Sequence, residues 1–357
     1  MDEHNTDLSP KSKSTLAVRI SGRVAAVVLI GLVLVYLKAI LIPLVFAFLL
    51  AFLLKPFVDV MVRRKVPSPV AILVAEGVAT LPVVVLGFVF LSSAGALTEQ
   101  VPKYQNQLVT QADHTLNSIL VRVGEKTQRA RIRTEVVKNL LPSALNEGAT
   151  FVRNSITAVT SAVGTLFLTL VLSAFILFEV RRFREKFHEA FGEAHPLIDD
   201  IEGIGDDVRA YVIAKTLISA LTGLAVWAFL ALMGVDFAAF WGLLAFPLNF
   251  IPTVGALVAS IPPILLAMID PNFTVFGVAC VFTGLIVING FIGAVLDPRY
   301  VGNAVHLSPL IVFISMLGWG VLWGPIGMIL SVPIMVSFKV ICSRIPAMEP
   351  VATLMKG

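Results

Sequence analysis

Charge is what this sequence has least of. Only 14% of its 357 residues are charged, against ~25% in an average soluble domain. With 57% hydrophobic residues, a water-soluble globule has nowhere to hide so much apolar surface, which leaves an all-α polytopic membrane protein. Cysteine is scarce too: Cys280 and Cys342 sit in or at the end of apolar runs and give neither a disulfide framework nor metal-ligand spacing. No nucleophile elbow, zinc motif or phosphate loop occurs, so no enzyme chemistry, cofactor or metal is expected. The net charge of +4 is small, and its Lys/Arg clusters abut apolar runs as membrane orientation requires, so no nucleic-acid partner is indicated. The first apolar run opens at Val24 and continues without a small-residue cleavage site, so a cleaved signal peptide is not expected.

What is present is organised around two long uncharged runs, residues 237–269 and 307–338. As one straight helix at ~1.5 Å per residue, either would reach roughly 50 Å, well past a hydrocarbon core of about 30 Å. Each must bend, break or double back. In the first, Pro247, Pro252 and Pro262-Pro263 lack amide donors, Gly255 weakens a helix, and Asn249 needs a partner at membrane depth. In the second, Gly318-Trp319-Gly320 and Gly324-Pro325-Ile326-Gly327 interrupt the run. The order Pro, Gly, Ser, β-branched residue, Pro recurs in Pro252 to Pro262 and in Pro325 to Pro333.

Paired interrupted segments are the sequence pointer to a transporter site, because broken backbone in a bilayer survives only where protein or a water-filled cavity satisfies it. Asn249 and Thr253 then offer side-chain hydrogen bonds, while Pro252, Gly255, Pro325 and Gly327 free backbone groups to face a solute. Ser260, Asn289, Asp297, Arg299, Gly324 and Ser331 complete the expected substrate site. The competing reading is a pair of kinked structural helices packed through small residues.

In chain order, residues 1–23 form a polar N-terminal segment. Residues 24–91 hold segments one to three; residues 24–54, split at Lys38 and Pro43, are read as a pair of short helices, with one long tilted helix as the alternative. Lys55, Arg63, Arg64 and Lys65 follow and mark the cytoplasmic side. Glu76 lies inside the third segment, either near the interface and reaching water, or as an ion-coupling carboxylate.

Residues 92–154 form an extracytoplasmic insert with an amphipathic helix over 97–123, lying on the membrane surface or between subunits, then a second near Glu135–Leu141 ended by Pro142. Segment four is 155–178, followed by Arg181, Arg182, Arg184 and Lys186. Residues 179–209 are a cytoplasmic amphipathic stretch in which Gly203-Ile204-Gly205-Asp206 falls in a polar loop. Residues 210–341 carry segments five to eight. Lys215 is expected to snorkel to the interface, with ion coupling as its other reading, and Asp297, just after the span at 273–296, is a further candidate ion-coupling carboxylate. Residues 342–357 form a cytoplasmic tail. About eight membrane segments, two of them interrupted, result.

From Tyr211 to Lys339 the motif order resembles the autoinducer-2 exporter family of permeases. The residues are Lys215-Thr216-Leu217-Ile218-Ser219 with Thr222-Gly223, Leu248-Asn249-Phe250-Ile251-Pro252 with Gly255, and Ala259-Ser260-Ile261-Pro262-Pro263. Asp297-Pro298-Arg299 with Gly302, Leu307 to Phe313, Trp323 to Met328 and Leu330 to Pro333 complete the pattern. The chain departs from it at Ala294 and Asp297, where Asn and Glu are the common residues. The resemblance implies an eight-helix inner-membrane exporter of a small signalling molecule, both termini cytoplasmic, surrounded by membrane lipid and assembled as a homo-oligomer, plausibly a pentamer. A sodium/proton-type antiporter and a non-transporting membrane scaffold are the alternatives.

Overall fold

The computed structural model describes residues 22, 25–26, 28–120, 141–191, 196–252, 254–302, 307–345 and 348–355. Its regular elements are helices: α1 (28–36), α2 (Lys38–Arg63), α3 (Ser68–Leu120), α4 (Leu141–Phe191) and α5 (Pro196–Met233). There follow α6 (Ala238–Leu248), α7 (Val254–Ile269) and α8 (Val275–Phe291), which runs into a π-helical stretch, Ile292–Gly302. The chain ends in α9 (Pro309–Trp323), α10 (Pro325–Arg344) and α11 (Glu349–Leu354). Six stretches are long and apolar enough to cross a bilayer: Lys38–Arg63, Ser68–Leu97, Thr150–Val180, Gly205–Met233, Val275–Val301 and Pro325–Ser343. The protein is an all-α, multi-pass membrane protein.

Both long uncharged runs break where their Pro and Gly residues fall. The first splits into α6 and α7 around residues 249–253, and the second into α9 and α10 at Gly324. At ~1.5 Å per residue, α6 and α7 are about 16 and 24 Å long, so neither crosses alone. The two breaks share a device. A Cβ on Gly255 would collide with the Leu248 carbonyl, and one on Gly327 with the Trp319 carbonyl. Only a residue without a side chain lets the returning helix press so closely on the last turn of the one before it. Pro309 and Pro325 open α9 and α10 at the position where a missing amide costs nothing.

Several boundaries differ from those expected. Instead of reversing between residues 24 and 54, α1 and α2 form one kinked rod. Leu37 N still donates to Val33 O at 2.9 Å and Leu41 N to Leu37 O at 2.9 Å, so the direction is kept. The Leu34 carbonyl accepts instead from Trp323 Nε1 at 3.0 Å, and a side chain inserted into the ladder is a standard cause of a kink. This takes away the second crossing on which a cytoplasmic N-terminus rested.

The amphipathic stretch from 97 is not a separate helix, because α3 continues unbroken through it for 53 residues. Pro142 opens α4 rather than ending a helix, and residues 121–140, with the expected helix start at Glu135, lie outside the described residues. Gly203-Ile204-Gly205-Asp206 sits inside α5, not in a loop. Asp297-Pro298-Arg299 is likewise helical rather than beyond the end of its span. Pro298 has no amide for the Ala294 carbonyl, and the widened π turn absorbs that mismatch.

The packing has one hub. α5 packs against α6 and α8 through its C-terminal half and against α10 and the π stretch through its N-terminal half. α3 and α4 join α2 in a separate small core around Ala51, Ile72 and Leu177.

Candidate functional site

On α5, Tyr211, Lys215, Ser219 and Thr222 recur at intervals of four, four and three residues, which places them on one face. All four are buried. A polar stripe of this kind inside a span as apolar as Gly205–Met233 needs partners; the first break, the π stretch and the helix's own backbone supply those of Ser219, Lys215 and Thr222. Lys215 Nζ donates to Asp297 Oδ2 at 2.8 Å and to Oδ1 at 3.0 Å. The Lys215 side chain is 4% exposed and that of Asp297 26%, so one end of the ion pair is enclosed and the other is partly exposed. Lys215 does not reach outward as expected: its side chain is enclosed and its ammonium is held by the Asp297 carboxylate. Tyr211 lies within electrostatic range of the same carboxylate.

One turn along, Asn249 at the C-terminal end of α6 donates its side-chain amide to Ser219 Oγ at 3.1 Å. The first break is thereby tied to the hub helix beside the ion pair. Thr222 Oγ1 donates to the Ile218 carbonyl at 2.8 Å. A second pair of the same chemistry joins α8 to α7: Asn289 donates to Ser260 Oγ at 3.1 Å and to the Leu285 carbonyl at 2.9 Å.

The structure brings together Asn249 with Ser219, Lys215 with Asp297, and Ser260 with Asn289. Pro252 is half-buried in the first break, Gly255 is buried against Leu248, and Arg299 is exposed on the π stretch. Thr253 lies outside the described residues. The second break sits elsewhere. Trp319, Trp323 and Leu330 pack with Ile42 and Phe46 of α2, so Gly324 and Pro325 belong to a core separate from that of Asn249. Ser331 is buried and donates to the Met328 carbonyl at 2.7 Å, while Val332 and Val336 one turn on reach Tyr211 of the hub.

Glu76 is buried on α3 and accepts a hydrogen bond from Ser173 of α4, in the α2–α3–α4 core. Among the described residues no group of three or more His, Cys, Asp and Glu stands close enough to hold a metal. Sequence reasoning passed over Tyr211, Ser219, Thr222 and Ser173 as site residues. The signal for the first three was their helical spacing around Lys215; for Ser173 no local signal exists.

A helical bundle with broken spans and buried polar pairs tied to one hub helix is the architecture of a membrane transporter. Comparison with known proteins is consistent and more specific. The model of the AI-2E family transporters matches residues 24–347, and the chain belongs to that family. It is 33% identical over 316 residues to the AI-2 transport protein TqsA of Escherichia coli (strain K12), covering 88% of this chain and 89% of the relative. It is 31% identical over 297 residues to "Putative transport protein YhhT" of the same strain, covering 83% and 82%. A further relative from Haemophilus influenzae is 29% identical over 337 residues, covering 93% and 94%. The protein is a membrane transporter.

Proposed function

We propose that this protein exports a small polar solute of the autoinducer-2 kind, with no catalytic step, along the face of α5 that carries Lys215 and Ser219. The observation that carries the reading is the Asn249–Ser219 pair, set one turn from the Lys215–Asp297 ion pair where the first run breaks. An amide has two N–H donors and a carbonyl acceptor, so Asn249 engages Ser219 with one N–H and has further capacity for solute hydroxyls. Asp297, a quarter exposed, offers a second acceptor beside it. The likeness to a protein named for AI-2 transport supports a compact, hydroxyl-rich solute. Ser260, Asn289 and the exposed Arg299 extend the polar lining, while Gly324, Pro325, Gly327 and Ser331 shape the second hairpin.

This reading places the protein in the inner membrane, with the Arg63–Lys65 turn, the 181–186 cluster and the C-terminus in the cytoplasm, on the basis of their charge. It also places apolar faces of α3 and α4 against lipid and sister subunits of a homo-oligomer, in line with their large exposed side chains such as Leu81, Phe88 and Phe167. The test is autoinducer-2 transport in proteoliposomes matched for protein amount. Asn249→Ala removes a hydrogen bond of roughly 0.5–1.5 kcal/mol, so apparent affinity should fall about threefold to tenfold. Unchanged affinity overturns the placement of the route.

A further inference from the structure

One buried polar group takes no part in the pairs above. Trp241 is 3% exposed, and its indole Nε1–H has no hydrogen-bond partner among the described residues. It packs in a hydrophobic core with Phe240, Leu244, Val226 and Leu230. Its ring stands edge-on to Phe240 at 4.8 Å between centroids, which fixes the plane in which the N–H points. Buried donors are nearly always satisfied, and an orphan of this kind calls for an explanation.

Its place in the fold supplies one. α6 is pressed on α5 where Gly242 meets Gly223 and Trp227: a Cβ on Gly242 would lie 2.5 Å from Trp227 Cβ. This crossing sets Trp241 level with residues 223–230 of the hub. The hub face that carries Tyr211, Lys215, Ser219 and Thr222 continues there as Val226 and Leu230, with no hydrogen-bonding side chain. On α6 itself, Trp241, Ala245 and Asn249 follow at four-residue spacing on one face, Trp241 about 12 Å along the axis from Asn249. That distance is too great for one small solute to touch both and suits two successive stations.

We propose that the Trp241 N–H is a second solute station. It donates a hydrogen bond to a hydroxyl or carbonyl oxygen of the transported molecule after that molecule leaves Asn249, on the stretch where the Val226–Leu230 face of the hub offers none. The inference rests on the proposed export of a small oxygen-rich solute, and it adds a selectivity: solutes lacking an acceptor oxygen are handled poorly at this step.

Two variants test it, both in proteoliposomes loaded with autoinducer-2. Trp241→Phe removes the N–H and part of the ring. Replacing Trp241 with 3-benzothienylalanine puts sulfur where the N–H stood at nearly unchanged size, so it reports on the donor even if the phenylalanine variant folds poorly. In the absence of solute, thermal stability of the benzothienyl variant should be unchanged or higher, since an unsatisfied donor has been removed. With solute, kcat/KM should fall about threefold to tenfold, the size of one hydrogen bond. Unchanged kcat/KM for the benzothienyl variant, alongside a weakened Asn249→Ala, overturns the Trp241 station and leaves the export reading standing. Absence of autoinducer-2 export by the wild type overturns both. A benzothienyl variant that loses stability without solute shows the N–H to be structurally engaged and also overturns the proposal.

Discussion

Breaking the Lys215–Asp297 pair from each side should give unequal losses. At 2.8 Å and an effective dielectric of about 20, two unit charges attract by about 6 kcal/mol before desolvation is counted. Asp297 is only partly enclosed, with its side chain 26% exposed, so the net coupling is expected at about 2–3 kcal/mol. Lys215→Met leaves a carboxylate that solvent can partly take over, at a cost of about 2 kcal/mol. Asp297→Asn strands an ammonium that is only 4% exposed, at a cost of about 3–5 kcal/mol. The double variant should lose less than the sum of the two by about 2 kcal/mol, because it leaves no charge behind. Reversible unfolding in mixed micelles measures all three, and transport on the same preparations shows whether the route closes with the pair. Additivity within about 0.5 kcal/mol, or equal single losses, would refute the argument that Lys215 is enclosed and held by Asp297.

The helix breaks and the remote carboxylate make further predictions. Gly255→Ala and Gly327→Ala each drive a methyl into a backbone carbonyl and should destabilise by about 2–4 kcal/mol with loss of transport, whereas Gly318→Ala, with open space around it, should stay within about 0.5 kcal/mol; thermal unfolding of the three side by side decides it. Ser173→Ala leaves the buried Glu76 without its donor and should cost about 1–3 kcal/mol, while Glu76→Gln, which keeps an acceptor for Ser173, should cost less. A reversal of that order in unfolding experiments would place the hydrogen bond outside the stabilising core.

Much of this architecture was legible because breaks and polar groups are costly in a bilayer and therefore stand out. Pro252, Gly255, Pro325 and Gly327 mark the two breaks in the sequence, and the structure breaks there. Asn249 and Asn289 were legible for the same reason, as amides within apolar runs. Partnership was not. Nothing local says that Lys215 meets a residue 82 positions away, or that Glu76 meets Ser173, because helix packing alone decides those pairs. Helix ends misled where Pro was taken as a stop. Pro43 and Pro298 both lie within helices, where a neighbouring helix or a widened turn makes up for the missing bond. Self-similarity of the two interrupted runs pointed to one shared site, and both runs do break at a glycine packed on a backbone carbonyl. Their breaks nonetheless lie in separate cores, since shape is set locally and position by the hub.

The 53 residues of α3 form one unbroken rod, about 80 Å long at ~1.5 Å per residue, of which a bilayer core of ~30 Å encloses less than half. Such a rod is a lever. A tilt of roughly 5° at its membrane end, a small adjustment for packed helices, sweeps its far end through ~7 Å over that length. α4, itself 51 residues and packed beside it, would travel with it. A rearrangement of the bundle that tilts α3 is therefore written large at the tips of these two helices, where spin or fluorescent labels near Gln107 would read an ångström-scale event in the membrane as a displacement several times greater.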